Sequence, residues 1–144
     1  MYSNSRFAVS VHVLAYLAYR AGQQTTSAEI ARSVNTNPVV IRRLLAALIK
    51  ARLVVAHKGA HGGFALSSAL ENISLLDVYR AVEPADEPGL ARFAPNSKCP
   101  VGAKIEAILR AAFFKAQAAM EAQLASLTLQ DVHQQLKPVC SGRH

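Results

Sequence analysis

Within NTNPVVIRRLLAALIKARL, residues 35–53, a helix has one clear place to begin. Asn37 can accept a hydrogen bond from the free amides of a first turn, and Pro38 suits a position where no amide hydrogen is needed. Beyond it, Ile41, Leu44, Leu45, Leu48 and Ile49 recur at three- and four-residue steps, so one side is predicted to be buried. With Ile41, Leu45 and Leu48 turned inward, Val39, Arg42, Arg43, Ala46 and Lys50 fall on the outer sides. Just upstream, Thr26 and Glu29 form a Thr-x-x-Glu capping box that opens a short helix over SAEIARSV. The intervening NTN breaks that helix. Two capped helices this close are predicted to fold across a tight turn.

The next segment restricts the fold further. LVVAHK is β-branched and apolar, GAHGG is a glycine-rich turn, and FALS is a second short strand, so a small hairpin is predicted directly after the third helix. Helix, turn, helix and hairpin make a winged helix-turn-helix. A first helix is predicted over residues 4–21, with Phe7, Val11, Leu14, Ala15 and Ala18 on its buried face and Gly22 as its stop. Ser74 and Asp77 cap a helix over LLDVYRAVE that ends at Pro84.

Residues 84–98, with three prolines and a glycine, form a long loop and are the candidate sensing region. A long helix is predicted from Cys99-Pro100 to about residue 127, roughly 42 Å at 1.5 Å per residue. Its apolar stripe runs through Ile105, Ile108, Leu109, Ala112, Phe113, Ala116, Met120, Leu124 and Leu127. Thr128 and Asp131 cap a last short helix. The fold class is therefore mainly α with a small β-hairpin. A winged helix-turn-helix domain is expected over residues 1–83, dimerisation helices over 99–136, and a loose tail over 137–144.

Charge separates the two halves. Residues 1–66 carry eight Lys and Arg against the single acid Glu29, whereas residues 67–144 carry eight of each sign. A basic half joined to a neutral half points to a polyanion-binding module on a separate scaffold. Arginine at the outward start of the third helix can grip guanine O6 and N7 or phosphate oxygens, and spacing alone leaves open which of Arg42 and Arg43 does which. At the hairpin tip, Gly59 and its neighbours would let the backbone approach a phosphate or a minor groove, with Lys58 and His61 alongside. Neither His57 nor His61 has the companions a metal site needs.

No apolar run reaches the roughly 18 residues needed to cross a bilayer. The two cysteines, Cys99 and Cys140, form no disulfide framework, so a cytoplasmic protein is expected. No paired carboxylates, phosphate loop or nucleophile with a placed base suggests an enzyme. Cys99 has two readings. It is either a redox sensor activated by the start of the long helix, with Cys140 as a resolving thiol, or a small buried residue at a helix end. The second reading is preferred.

The chain resembles the Rrf2 family of bacterial transcriptional regulators over almost its full length. The resemblance is carried by SRFAVSVHVLAYLA, AEIARSVNTNPVVIRRLLAALIKARLV, KGAHGGFAL, ISLLDVYRAVE and the later CPVG. It implies a homodimeric repressor whose long helix crosses to its partner and whose third helix reads DNA. By position, the implied readers are Asn37, Val39, Val40, Arg42 and Arg43, with Gly59, His61 and Gly62 in the wing. Family members often carry glycine where this chain has Arg52, so the end of the third helix is expected to differ locally. Some members hold an iron–sulfur cluster on three closely spaced cysteines, and this chain has only Cys99 in that region. No cofactor is therefore expected, and CPVG looks like the cluster-free branch.

The combined expectation is a sequence-specific regulator of double-stranded DNA, acting on an inverted-repeat operator and responding to a small molecule or a redox signal. The alternative is a winged-helix module that binds nucleic acid or protein without promoter specificity.

Overall fold

Side-chain oxygens set where the helices begin. The computed structural model describes residues 5–83 and 94–140, with side chains as far as residue 137. Thr26 Oγ1 accepts from the Glu29 amide and the Glu29 carboxylate accepts from the Thr26 amide, which opens α2, Ser27–Val34. Asn37 caps α3, Pro38–Lys50, with Pro38 in the first turn. Ser74 and Asp77 form a second reciprocal box at the start of α4, Leu75–Val82. α1 spans Arg6–Tyr19, α5 spans Pro100–Ala125 and α6 spans Leu129–Cys140. Strands β1, Val54–His57, and β2, Gly63–Leu66, pair antiparallel, with Val54 opposite Leu66 and His57 opposite Gly63. A short 3-10 turn, Leu70–Asn72, precedes α4. A mainly α chain with one small hairpin is the predicted fold class.

The end of α3 is closed by a paired reverse bond. The Arg52 amide donates to the Ile49 carbonyl and the Leu53 amide to the Leu48 carbonyl, both at 2.9 Å. Such a turn needs a left-handed residue, usually glycine. Arg52 supplies it at φ 64. The backbone is thus the one a glycine would adopt, so the local difference expected at Arg52 lies in the side chain.

α1 lies at the centre of the packing and touches α2, α3, α4, α6 and β2. Its buried residues are Ser10, Val13, Leu14, Leu17 and Ala18. Leu14 and Ala18 are buried as expected and Phe7 and Val11 pack half-buried against the core, while Val13 and Leu17 are buried in addition. The reason is that neighbours cover α1 on several sides, so no single stripe dominates. Phe7 meets Tyr79 of α4 edge-on, with ring centroids 5.6 Å apart.

Two longer-range pairings complete the domain. The Thr25 amide donates to the Phe64 carbonyl at 3.2 Å and the Phe64 amide to the Thr25 carbonyl at 2.8 Å. The predicted polar loop GQQTT therefore supplies a rung to the wing. A Cβ on Gly63 would lie 2.7 Å from the Thr25 carbonyl oxygen, so the rung relies on glycine. On the other side, the Leu129 amide donates to the Ile73 carbonyl and the Leu75 amide to the Leu127 carbonyl, both at 2.9 Å. Leu129 then enters the core that holds Leu14, Ile41, Leu48, Ile73 and Val78.

α6, which the sequence groups with α5, packs on α1 and the 3-10 turn. It also runs past Lys137 into the expected loose tail, and Lys137 suits the carbonyl end of that helix. Residues 84–93 of the expected sensing loop, residues 141–144 and the side chain of Cys140 lie outside the described residues.

Candidate nucleic-acid interface

The cap arranges the first turn of α3. Asn37 Oδ1 accepts from the Val39 amide at 2.8 Å, so its NH2 group is what remains to meet a partner. Val39, Arg42, Arg43 and Ala46 then stand exposed. Residues three and four apart are neighbours on a helix surface, so these side chains form one outward ridge. Among the described residues neither Arg42 nor Arg43 enters an ion pair. Both guanidinium groups are left free for an anion.

Val40 and Arg43 lean toward α1. With Ser5, Arg6, Val9 and Leu44 they line a cavity of about 370 Å³. Arg6 therefore stands next to the ridge, although the sequence reading counts it only as one charge of the basic half. Nothing local could have shown this, because it follows from how α1 crosses α3. Lys50 is exposed but occupies the last turn, about 10 Å farther along the axis than Arg43. The structure does not bring it into the cluster.

At the wing tip Lys58, Gly59, Ala60 and His61 are exposed and Gly62 is half-buried. Gly59 adopts φ 108. The Gly62 amide donates to the Gly59 carbonyl at 3.0 Å. A Cβ on Gly62 would collide with the His57 carbonyl oxygen. The tip is therefore a narrow backbone loop that carries a lysine and a histidine on its outside.

Cys99 departs from its preferred reading as a small buried residue, because it is exposed. The cause lies in α5, which buries none of its residues within the chain and so leaves its own start in solvent. The backbone amides of Gly102 and then Val101 hold the thiol pKa below its ordinary value, although no hydrogen bond of regular geometry caps the helix at the sulfur. The turn before it is close-fitted. The Cys99 amide donates to the Asn96 carbonyl at 3.1 Å, and a Cβ on Gly102 would strike that same carbonyl. This is the physical content of CPVG.

Residues 3–135 match the model of the Rrf2 family, described as an iron-dependent transcriptional regulator. The Bacillus subtilis protein YwnA, named as an HTH-type transcriptional regulator, is 45% identical over 129 residues, which covers 90% of this chain and 95% of YwnA. A crystal structure described as a DNA-binding protein shares 42% identity at a TM-score of 0.71, covering 89% of this chain and 98% of that one. A transcriptional regulator from Lactobacillus plantarum superposes at a TM-score of 0.77 with 28% identity, covering 92% and 90%. These relatives are regulators, not enzymes.

The family description implies iron, and the donor set can be tested against it. Among the described residues no group of three or more His, Cys, Asp or Glu side chains could hold a metal ion. The whole chain has two cysteines. Those residues do not fit an iron centre supplied by one chain. Among them, too, no helix is long and apolar enough to cross a membrane.

Proposed function

The chain belongs to the Rrf2 family of transcriptional regulators, and from that premise we propose that it acts as a homodimeric repressor on an inverted-repeat operator. The observation that carries this reading is the exposed, acid-free ridge of Val39, Arg42, Arg43 and Ala46 at the start of α3. In a helix-turn-helix that half of the helix enters the major groove, where arginine grips guanine edges or phosphates. The wing tip, with Lys58, Gly59, His61 and Gly62, holds the neighbouring backbone.

α5 supports the dimer. Helices in water draw most of their stability from packing one face, yet no residue of this 26-residue helix is fully buried within its own chain, and Phe113, Met120 and Leu124 are only half-buried. Val101 is 67% exposed, Ile108 60% and Phe114 75%. One open face of α5 presents Ala103, Ala107, Ala111 and Phe114, bordered by Glu106, Arg110 and Lys115, and its small side chains let a second helix approach closely. Pairing α5 with its copy sets two ridges to face successive major grooves, about 34–36 Å apart. We assign the signal input to the turn before α5, where the Cys99 thiol is exposed. A redox event or a small molecule there changes the spacing of the two ridges.

The test is a gel-shift titration with a duplex enriched from a random pool, run at moderate salt against random competitor. Specific binding should survive the competitor. Arg42→Ala should weaken it about tenfold or more while sedimentation still reports a dimer. Unchanged affinity in Arg42→Ala removes the ridge from the interface. Equal competition by random duplex favours a module without promoter specificity.

A further inference from the structure

We propose that Val39 is a specificity-determining residue that recognises the C5-methyl group of a pyrimidine in the major groove. The inference rests on the reading of α3 as the DNA-reading helix and assigns the chemistry of one of its contacts. Val39 is 42% exposed and belongs neither to the hydrophobic core nor to the apolar residues packed on it. The buried side of α3 is already filled by Ile41, Leu44, Leu45 and Leu48. Val40 is exposed to a similar degree, but it lines the cavity against Val9 of α1. Val39 does not line that cavity.

Its chemistry narrows what it can read. The Val39 amide is held by Asn37 Oδ1, so the residue offers its two side-chain methyls and no side-chain donor or acceptor. It cannot read a guanine or adenine edge by hydrogen bonding. In the major groove the apolar feature of a base pair is the thymine methyl, and 5-methylcytosine carries the same group. The neighbours settle what covers Val39. Arg42 and Arg43 flank it one turn on, and residues 1–66 contain a single acid. A second copy of this surface would bring like charges together, whereas a polyanion is attracted to it. A methyl-reading side chain beside two arginines fits a pyrimidine methyl next to guanine or phosphate acceptors.

The experiment uses the full chain and a duplex enriched from a random pool. Each thymine is replaced singly by deoxyuridine, which removes one methyl and changes no hydrogen-bonding group. Affinity should fall about fourfold for one thymine in each half-site and be nearly unchanged for the others, the amount expected for one buried carbon. In Val39→Ala the same replacement should have little effect, while Val39→Thr, which keeps a methyl and the branched shape, should retain part of it. Replacing that thymine by cytosine and then by 5-methylcytosine separates the sources. Recovery of affinity with 5-methylcytosine shows that the methyl itself is read. The proposal is overturned if no thymine shows methyl dependence, or if the dependence persists unchanged in Val39→Ala. Failure to enrich any duplex overturns the DNA reading as well, and is distinct from specific binding that ignores the methyl.

Discussion

Leu129→Ala tests whether α6 belongs to the DNA-binding domain or only to a dimer arm. Leu129 is 1% exposed and packs in the same core as Ile73 and Val78. The substitution removes three carbons, worth about 0.8 kcal/mol each on transfer, and leaves a cavity whose cost adds to that. The expected loss is about 3 kcal/mol. For a chain of this size a urea m-value near 2 kcal/mol per molar converts this into a midpoint about 1.5 M lower. The assay is urea unfolding followed by far-ultraviolet circular dichroism at fixed chain concentration, because any self-association would add to stability by mass action. Leu136 on the same helix is 40% exposed, and Leu136→Ala should cost within about 0.5 kcal/mol. If both variants shift the midpoint equally, or Leu129→Ala shifts it by less than about 0.5 M, α6 is not part of the core.

Arg52→Gly should stabilise the chain. A left-handed L-residue costs about 1–2 kcal/mol, and glycine gives back part of that in chain entropy, so a rise of about 2–4 °C in Tm by calorimetry is expected. No rise would mean that the Arg52 side chain makes a compensating contact. Gly62→Ala forces a Cβ onto the His57 carbonyl oxygen. Amide exchange over residues 54–66 should quicken while α1 and α3 keep their protection, and duplex affinity should fall; unchanged exchange would refute the close fit. For Cys99 the lowered pKa means that the thiolate is already populated below the pH range of an ordinary thiol. The alkylation rate by iodoacetamide should rise with pH to a midpoint below that of a free cysteine peptide, and a midpoint at or above it refutes the effect of the Gly102 and Val101 amides.

Much of the scaffold was readable because its signals are local. Thr26 and Glu29, Asn37 and Pro38, Ser74 and Asp77, and Thr128 and Asp131 each act within a single turn. Each is found where the spacing puts it. The exposure of Val39, Arg42, Arg43 and Ala46 follows equally from helical periodicity once Ile41, Leu45 and Leu48 are buried. Other features depend on which elements meet. The buried side of α1 widened to include Val13 and Leu17, Thr25 joined the wing through Phe64, and Arg6 came to rest beside Arg43. Leu129 turned inward and Cys99 outward for the same kind of reason. A repeat pattern reports that a helix has an apolar side. It carries no record of how many neighbours cover that helix, and contacts between residues far apart in the chain form only when whole elements pack.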